Sequence, residues 1–115
     1  MNITLYHNPR CSKSRQALAL LRERDIEPEI VEYLKAPPDE AALRGLTEKL
    51  GVDVREMMRK NEAPWKELEL GRDSVTETEL LAAIAAHPIL LQRPIAVRGD
   101  RAVIGRPPQN VLELL

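Results

Sequence analysis

The stretch Ile3-Thr4-Leu5-Tyr6-His7-Asn8-Pro9-Arg10-Cys11-Ser12-Lys13-Ser14-Arg15, continued to Ile30-Val31-Glu32-Tyr33-Leu34, decides the fold. Ile3 to Tyr6 is a β-branched and aromatic run, which predicts a strand. His7-Asn8-Pro9-Arg10 then breaks it with turn residues. From Ser12 the period becomes helical: Ala17, Leu18, Leu20 and Leu21 share an apolar face, and Arg15, Arg22, Glu23 and Arg24 lie on the wet side. Pro28 ends that helix, and Ile30 to Leu34 reads as a second strand. Strand, helix and strand in this order make a βαβ unit, so the two strands run parallel with a right-handed crossover.

Beyond this unit, Pro37-Pro38 interrupts the chain and Asp39 or Glu40 opens a helix carrying Leu43, Leu46 and Leu50, closed by Gly51. Asp53 with Glu56 resembles a capping box for a short helix holding Val54, Met57 and Met58. Residues 60–73, around Trp65 and Leu70, read as loop or short turns. Thr76 and Glu79 form a clearer capping box for a helix with Leu80, Leu81 and Ile84 that stops before Pro88. The period then changes to that of strands. Ile95-Ala96-Val97-Arg98 and Arg101-Ala102-Val103-Ile104 flank Gly99-Asp100, a tight hairpin link. Val111-Leu112 and Leu114-Leu115 predict a closing helix. The expected architecture is α/β: a mixed four-stranded sheet in the order of the thioredoxin-like (glutaredoxin-like) fold, a single domain over 1–115 with a helical insertion at about 38–87.

Composition bounds the function. The chain has 115 residues, 43% hydrophobic and 30% charged with a net charge of −1, which suits one globular domain and gives no overall pull toward nucleic acid or anionic membrane. Aromatics are 3%, with no Phe, so a base-stacking platform has little to build on. No apolar run approaches the roughly 20 residues of a membrane span, and nothing at the start reads as a secretory signal. One cysteine and two histidines form neither an internal disulfide nor a structural zinc site. The expectation is a cytoplasmic protein with no bound metal or cofactor.

In a βαβ unit ligands collect where the first strand hands over to the helix, and Cys11 falls there. Unpaired N–H groups at the helix start, with the positive end of the helix dipole, favour a thiolate and an oxyanion alike. Arg10, Lys13 and Arg15 add positive charge, and cysteines so placed ionise at pKa values from about 3.5 to 7.5, against about 8.5 for a free thiol. The bland alternative is a buried structural cysteine. Cys11-x-x-Ser14 lacks the second sulfur of a dithiol centre, so an oxidised Cys11 must be cleared by an outside thiol. A Cys-x5-Arg phosphatase loop is excluded as well, because Ala17 stands at the arginine position. Ser14 either donates to the thiolate or is an ordinary first-turn residue. His7 either shares the thiol proton or is a satisfied loop histidine. His87 reads as a helix C-terminal residue. Arg59 at a helix end, Arg93 before Pro94 and Arg106 between Gly105 and Pro107 sit on restrained backbone, which suits a fixed guanidinium fork; taken singly, each is more often a solvated charge, and spacing alone does not make them a site.

The loop Tyr6 to Arg15 resembles the active-site loop of the glutaredoxin-dependent arsenate reductases, the ArsC family. Tyr33-Leu34-Lys35-Ala36-Pro37-Pro38, Met58-Arg59-Lys60-Asn61, His87-Pro88-Ile89-Leu90, Arg93-Pro94-Ile95 and Gly105-Arg106-Pro107 resemble its later motifs in order and spacing. Arg10 and Ser12-Lys13 are nearest to a short, YfgD-like branch. The resemblance implies Cys11 as nucleophile, His7 as an aid to its ionisation, Arg59, Arg93 and Arg106 as oxyanion ligands, and a cis proline at Pro94; Ser14 and Arg15 are candidates for support of the thiolate from the loop itself. It also implies arsenate as substrate, glutathione as co-substrate and glutaredoxin as partner. Rival readings of the same fold are an Spx-like redox-sensing regulator, which usually carries Cys-x-x-Cys, and a monothiol glutaredoxin-like protein without arsenate activity.

Overall fold

In the computed structural model, which describes residues 2–115, strand β1 (Thr4–Tyr6) lies at the centre of a four-stranded sheet. It pairs in parallel with β2 (Glu29–Val31) and antiparallel with β3 (Ile95–Arg98), and β3 pairs antiparallel with β4 (Arg101–Ile104). The order β2-β1-β3-β4 is the expected thioredoxin-like arrangement. Helix α1 (Ser12–Glu23) makes the crossover from β1 to β2. Side chains alternate along a strand, so Ile3 and Leu5 turn to one face of the sheet. There they meet Ala17, Leu18 and Leu21 of α1, Ala96 of β3, and Val111 and Leu114 near the C-terminus, all buried in one cluster.

Helix α1 ends through its backbone. Asp25 takes a left-handed conformation (φ 60°), Ile26 N–H reaches Leu21 O at 3.0 Å and Asp25 N–H reaches Arg22 O at 3.0 Å. This pair of bonds satisfies the last carbonyls of the helix and turns Ile26 back onto the core. The second strand is shorter than its apolar run: it stops at Val31, because Glu32 O accepts from Lys35 N–H and Ala36 N–H in a turn. The closing helix is a 3-10 segment, Pro108–Leu114, and not an α-helix. Two arginines of the β3–β4 hairpin complete its end: Arg98 donates to Leu114 O at 2.6 Å and Arg101 to Glu113 O at 3.2 Å. These like charges face each other across the ladder, and each guanidinium has a carbonyl to serve.

Contacts divide the chain into two units, Met1–Ala36 with Arg93–Leu115, and Pro37–Gln92. In the second, α2 (Glu40–Leu50) packs on α4 (Glu77–Ala86), burying Leu43 and Leu46 from one and Leu80, Leu81 and Ile84 from the other. Asp39 caps α2 by accepting from Ala42 N–H at 2.8 Å, and Gly51 closes it at φ 69°. Asp53 does not form the expected capping box. Its carboxylate accepts from Arg55 N–H and starts only a 3-10 turn, Val54–Met57, leaving Met58 free to bridge to Leu91 in extended form. The stretch read as loop contains one short helix, α3 (Ala63–Glu67).

The capping box of α4 is complete: Thr76 Oγ1 accepts from Glu79 N–H at 3.2 Å while Glu79 Oε1 accepts from Thr76 N–H at 3.4 Å. Thr76→Ala removes an N-cap acceptor and is expected to lower stability by about 1 kcal/mol. Urea unfolding followed by circular dichroism checks this, and an unchanged midpoint contradicts it.

Candidate active site

The loop after β1 is built by its own polar atoms. Asn8 O accepts from Cys11 N–H at 3.0 Å and Asn8 Oδ1 accepts from Arg10 N–H at 3.0 Å, closing a tight turn over Pro9. Arg15 Nη1 donates to Pro9 O at 2.9 Å and ties the turn to the helix. Cys11 is thereby set as the N-cap of α1, in extended backbone conformation, and half-buried. No carboxylate occupies the first turn of α1, so nothing there opposes a negative sulfur.

The thiol ionises below its ordinary range. Burial pushes its pKa up, but the Ser14 amide, the charge and nearby donors of Arg93, and the Lys13 amide together bring it down. The sulfur makes no close cap hydrogen bond; the two amides lie near enough to favour the ionised form. They are the second and third N–H groups of the helix, the donors that an N-cap acceptor ordinarily serves. Arg93 is half-buried, and its Nε and Nη1 are fully buried without a hydrogen-bond partner. Most buried polar groups are paired, so this guanidinium stands out among the described residues. Arg93 presents a cation to the thiolate, and two of its nitrogens carry no hydrogen-bond partner.

His7 acts through an intermediary. Its imidazole is buried, and Nδ1 lies 2.5 Å from Ser14 Oγ, which also accepts from Asn8 N–H at 3.1 Å. Burial lowers the pKa of His7; Glu32 opposes this, and Arg22 and Arg15 add to it. The ring is therefore neutral at pH 7, which disfavours a standing imidazolium beside the sulfur. Ser14 supports the thiolate with its amide, while its hydroxyl is engaged by His7 and Asn8. Arg15 holds the loop through Pro9 and is not among the groups that shift Cys11.

The peptide bonds Arg93–Pro94 and Arg106–Pro107 are both cis; the second has no counterpart in the sequence reading. Arg106 is exposed and donates from Nη1 to Arg93 O at 3.2 Å, so it braces the residue that faces Cys11. Cys11, His7, Ser14, Arg15, Arg93, Pro94 and Arg106 all belong to the first unit. Arg59 belongs to the second, where its guanidinium pairs with Glu62 and its N–H donates to Leu90 O at 2.7 Å. The sequence reading has Asn8 as a turn residue but not as the group whose side chain and carbonyl shape the Cys11 loop. Among the described residues no group of three or more His, Cys, Asp and Glu side chains is placed to hold a metal ion, and no helix is long and apolar enough to cross a membrane.

Residues 6–114 match the ArsC family. The chain belongs to that family. It is 49% identical over 114 residues to the uncharacterized protein YfgD of Escherichia coli (strain K12), covering 98% of this chain and 96% of that one. It is 46% identical over 116 residues to an arsenate reductase of Haemophilus influenzae, covering 100% of both chains. Among solved structures, an arsenate reductase from Vibrio cholerae has a TM-score of 0.98 at 46% identity, over 100% of this chain and 98% of that one. This ArsC-family chain has its one cysteine at the start of α1, where the arginine that precedes a cis proline acts on it.

The depressed thiol pKa sets a pH dependence. Iodoacetamide alkylation of Cys11 is expected to rise with pH through a midpoint below the ~8.5 of a free thiol. Arg93→Gln removes the charge and moves that midpoint upward. A wild-type midpoint at or above the free-thiol value contradicts the reading.

Proposed function

We propose that this protein reduces arsenate to arsenite, using glutathione and glutaredoxin, through a covalent adduct on Cys11. The observation that carries this reading is Arg93, whose charge favours the Cys11 thiolate while two of its buried nitrogens have no protein partner. Arsenate bound at this guanidinium gains charge-assisted hydrogen bonds to its oxygens.

The chemistry follows from a lone thiol. The Cys11 sulfur attacks arsenic, an As–S bond forms, and one oxygen leaves as water once protonated. Arsenic remains As(V) in this adduct. A glutathione thiolate next attacks the Cys11 sulfur; an S–S bond forms, the As–S bond breaks, and its electron pair stays with arsenic, which leaves as arsenite. Two thiols have been oxidised to one mixed disulfide and As(V) reduced to As(III). A glutaredoxin thiolate then takes the glutathione and frees Cys11. Cys11-x-x-Ser14 has no second sulfur to resolve the disulfide internally, which is why an outside thiol is needed. A reducing cytoplasm supplies both thiols.

Arg93 and Arg106 act as electrostatic stabilisers of charge that builds on oxygen during the attack. His7, neutral and bonded to Ser14, orients the helix start that faces the sulfur. Family resemblance adds Arg59 as a third oxyanion ligand; its pairing with Glu62 gives it a separate structural role.

Purified protein with glutathione, glutaredoxin, glutathione reductase and NADPH is expected to consume NADPH only when arsenate is added. Cys11→Ser takes this to background, and Arg93→Gln lowers kcat by roughly 10²–10³, the usual cost of removing one such donor. Turnover unchanged in Cys11→Ser overturns the mechanism.

A further inference from the structure

The turn after β4 packs against Arg93 and Pro94, the first of which acts on Cys11. Gly105 N–H donates to Pro94 O at 2.8 Å, and Arg106 Nη1 donates to Arg93 O at 3.2 Å. Two consecutive carbonyls, of Arg93 and Pro94, are thus held by two consecutive residues, 105 and 106. Gly105 is buried, and it has no unusual backbone angle to explain the absence of a side chain. Space explains it. A Cβ at residue 105 falls 2.7 Å from Pro94 Cγ, 3.1 Å from Val111 Cγ1 and 3.4 Å from Pro94 Cδ.

Neither neighbour yields easily. Val111 is fully buried in the cluster that joins the sheet to α1, and close-packed interiors resist such a shift. The Pro94 ring is also buried, and its Cγ is closed into a ring on the backbone, not the free end of a flexible chain. Pro94 is bonded directly to Arg93, so movement of the ring away from residue 105 carries the Arg93 backbone with it.

From this packing we infer that Gly105 is a positioning residue: its bare Cα lets the Pro94 ring seat against the β4 turn and thereby sets where the Arg93 guanidinium meets the Cys11 sulfur. The inference rests on Cys11 as nucleophile and Arg93 as its cation, and is independent of whether arsenate is the substrate. A methyl group at residue 105 wedges Pro94 outward and draws the guanidinium off the sulfur. Small displacements at an active site have large effects, because the gain from a placed donor depends on its geometry.

The test reads the ionisation of Cys11 and needs no arsenate. The midpoint of iodoacetamide alkylation against pH is measured for the wild type, Gly105→Ala, Arg93→Gln and the double variant. Gly105→Ala is expected to move the midpoint up by about one pH unit, leaving roughly tenfold less thiolate at lower pH. In the Arg93→Gln background the same change is expected to add no further shift, since it acts through Arg93. A further variant, Gly105→Ala with Val111→Ala, opens the opposite wall so that the new methyl group moves away from Pro94; it is expected to return the midpoint to near that of the wild type. This rescue can be read even if Gly105→Ala alone does not fold. A purely structural role predicts the reverse, because the second substitution adds a core cavity to an existing defect. A wild-type midpoint in Gly105→Ala, an additive shift in Arg93→Gln, or no recovery with Val111→Ala overturns the inference. Failure of the coupled arsenate assay with these outcomes intact would count against the substrate alone.

Discussion

A guanidinium held against a sulfur is the interaction on which the rest of this structure depends. Burial alone would keep Cys11 a thiol. The Arg93 charge and the first amides of α1 reverse that preference, and each is present only because the chain is folded. Arg93 comes from the segment before β3, more than eighty residues along the chain from Cys11. The sheet joins them: β1 leads into the Cys11 loop, and β3, hydrogen-bonded beside it in antiparallel register, begins just after Arg93. Charge placed by one strand therefore acts on a nucleophile placed by its neighbour.

Holding a cation there is costly, since a buried charge needs partners. The structure answers with a chain of supports. Arg106 braces the Arg93 carbonyl, Gly105 receives the Pro94 ring, and Val111 anchors that turn to the core. On the other side, Asn8, Arg15 and the His7–Ser14 pair fix the loop and the helix start. Arg93 Nε and Nη1 are buried without a hydrogen-bond partner. On the proposed reading, these donors are held in place before substrate arrives, and preorganisation of that sort accounts for much of electrostatic catalysis.

Much of this was legible in the residues. Alternation in Ile3-Thr4-Leu5-Tyr6, the helical face of Ala17, Leu18 and Leu21, and the Gly99-Asp100 link gave the sheet order, because each is a local pattern with a physical period. The Thr76–Glu79 capping box was equally readable. Asp53–Glu56 has the same spacing but closes only a 3-10 turn, since Met58 is drawn into extended pairing with Leu91; that pull is tertiary and leaves no local trace. The closing segment reads as helical by its leucines, yet Pro107 and Pro108 with only a few following residues sustain a 3-10 run. At the site, Cys11 was evident from its place between strand and helix. The engagement of the Ser14 hydroxyl by His7, the link from Arg106 to Arg93 and the need for glycine at 105 were not, because each is a contact between distant segments.

The central claim is that one sulfur takes arsenic and then passes through a mixed disulfide. Intact-mass spectrometry of a single turnover tests it most directly: reduced protein is mixed with arsenate and glutathione, glutaredoxin is left out, and the modified residue is located. The account predicts one glutathione per chain, on Cys11, formed only when arsenate is present. An unmodified Cys11 after arsenite has been released, or glutathione attached equally well without arsenate, would contradict it.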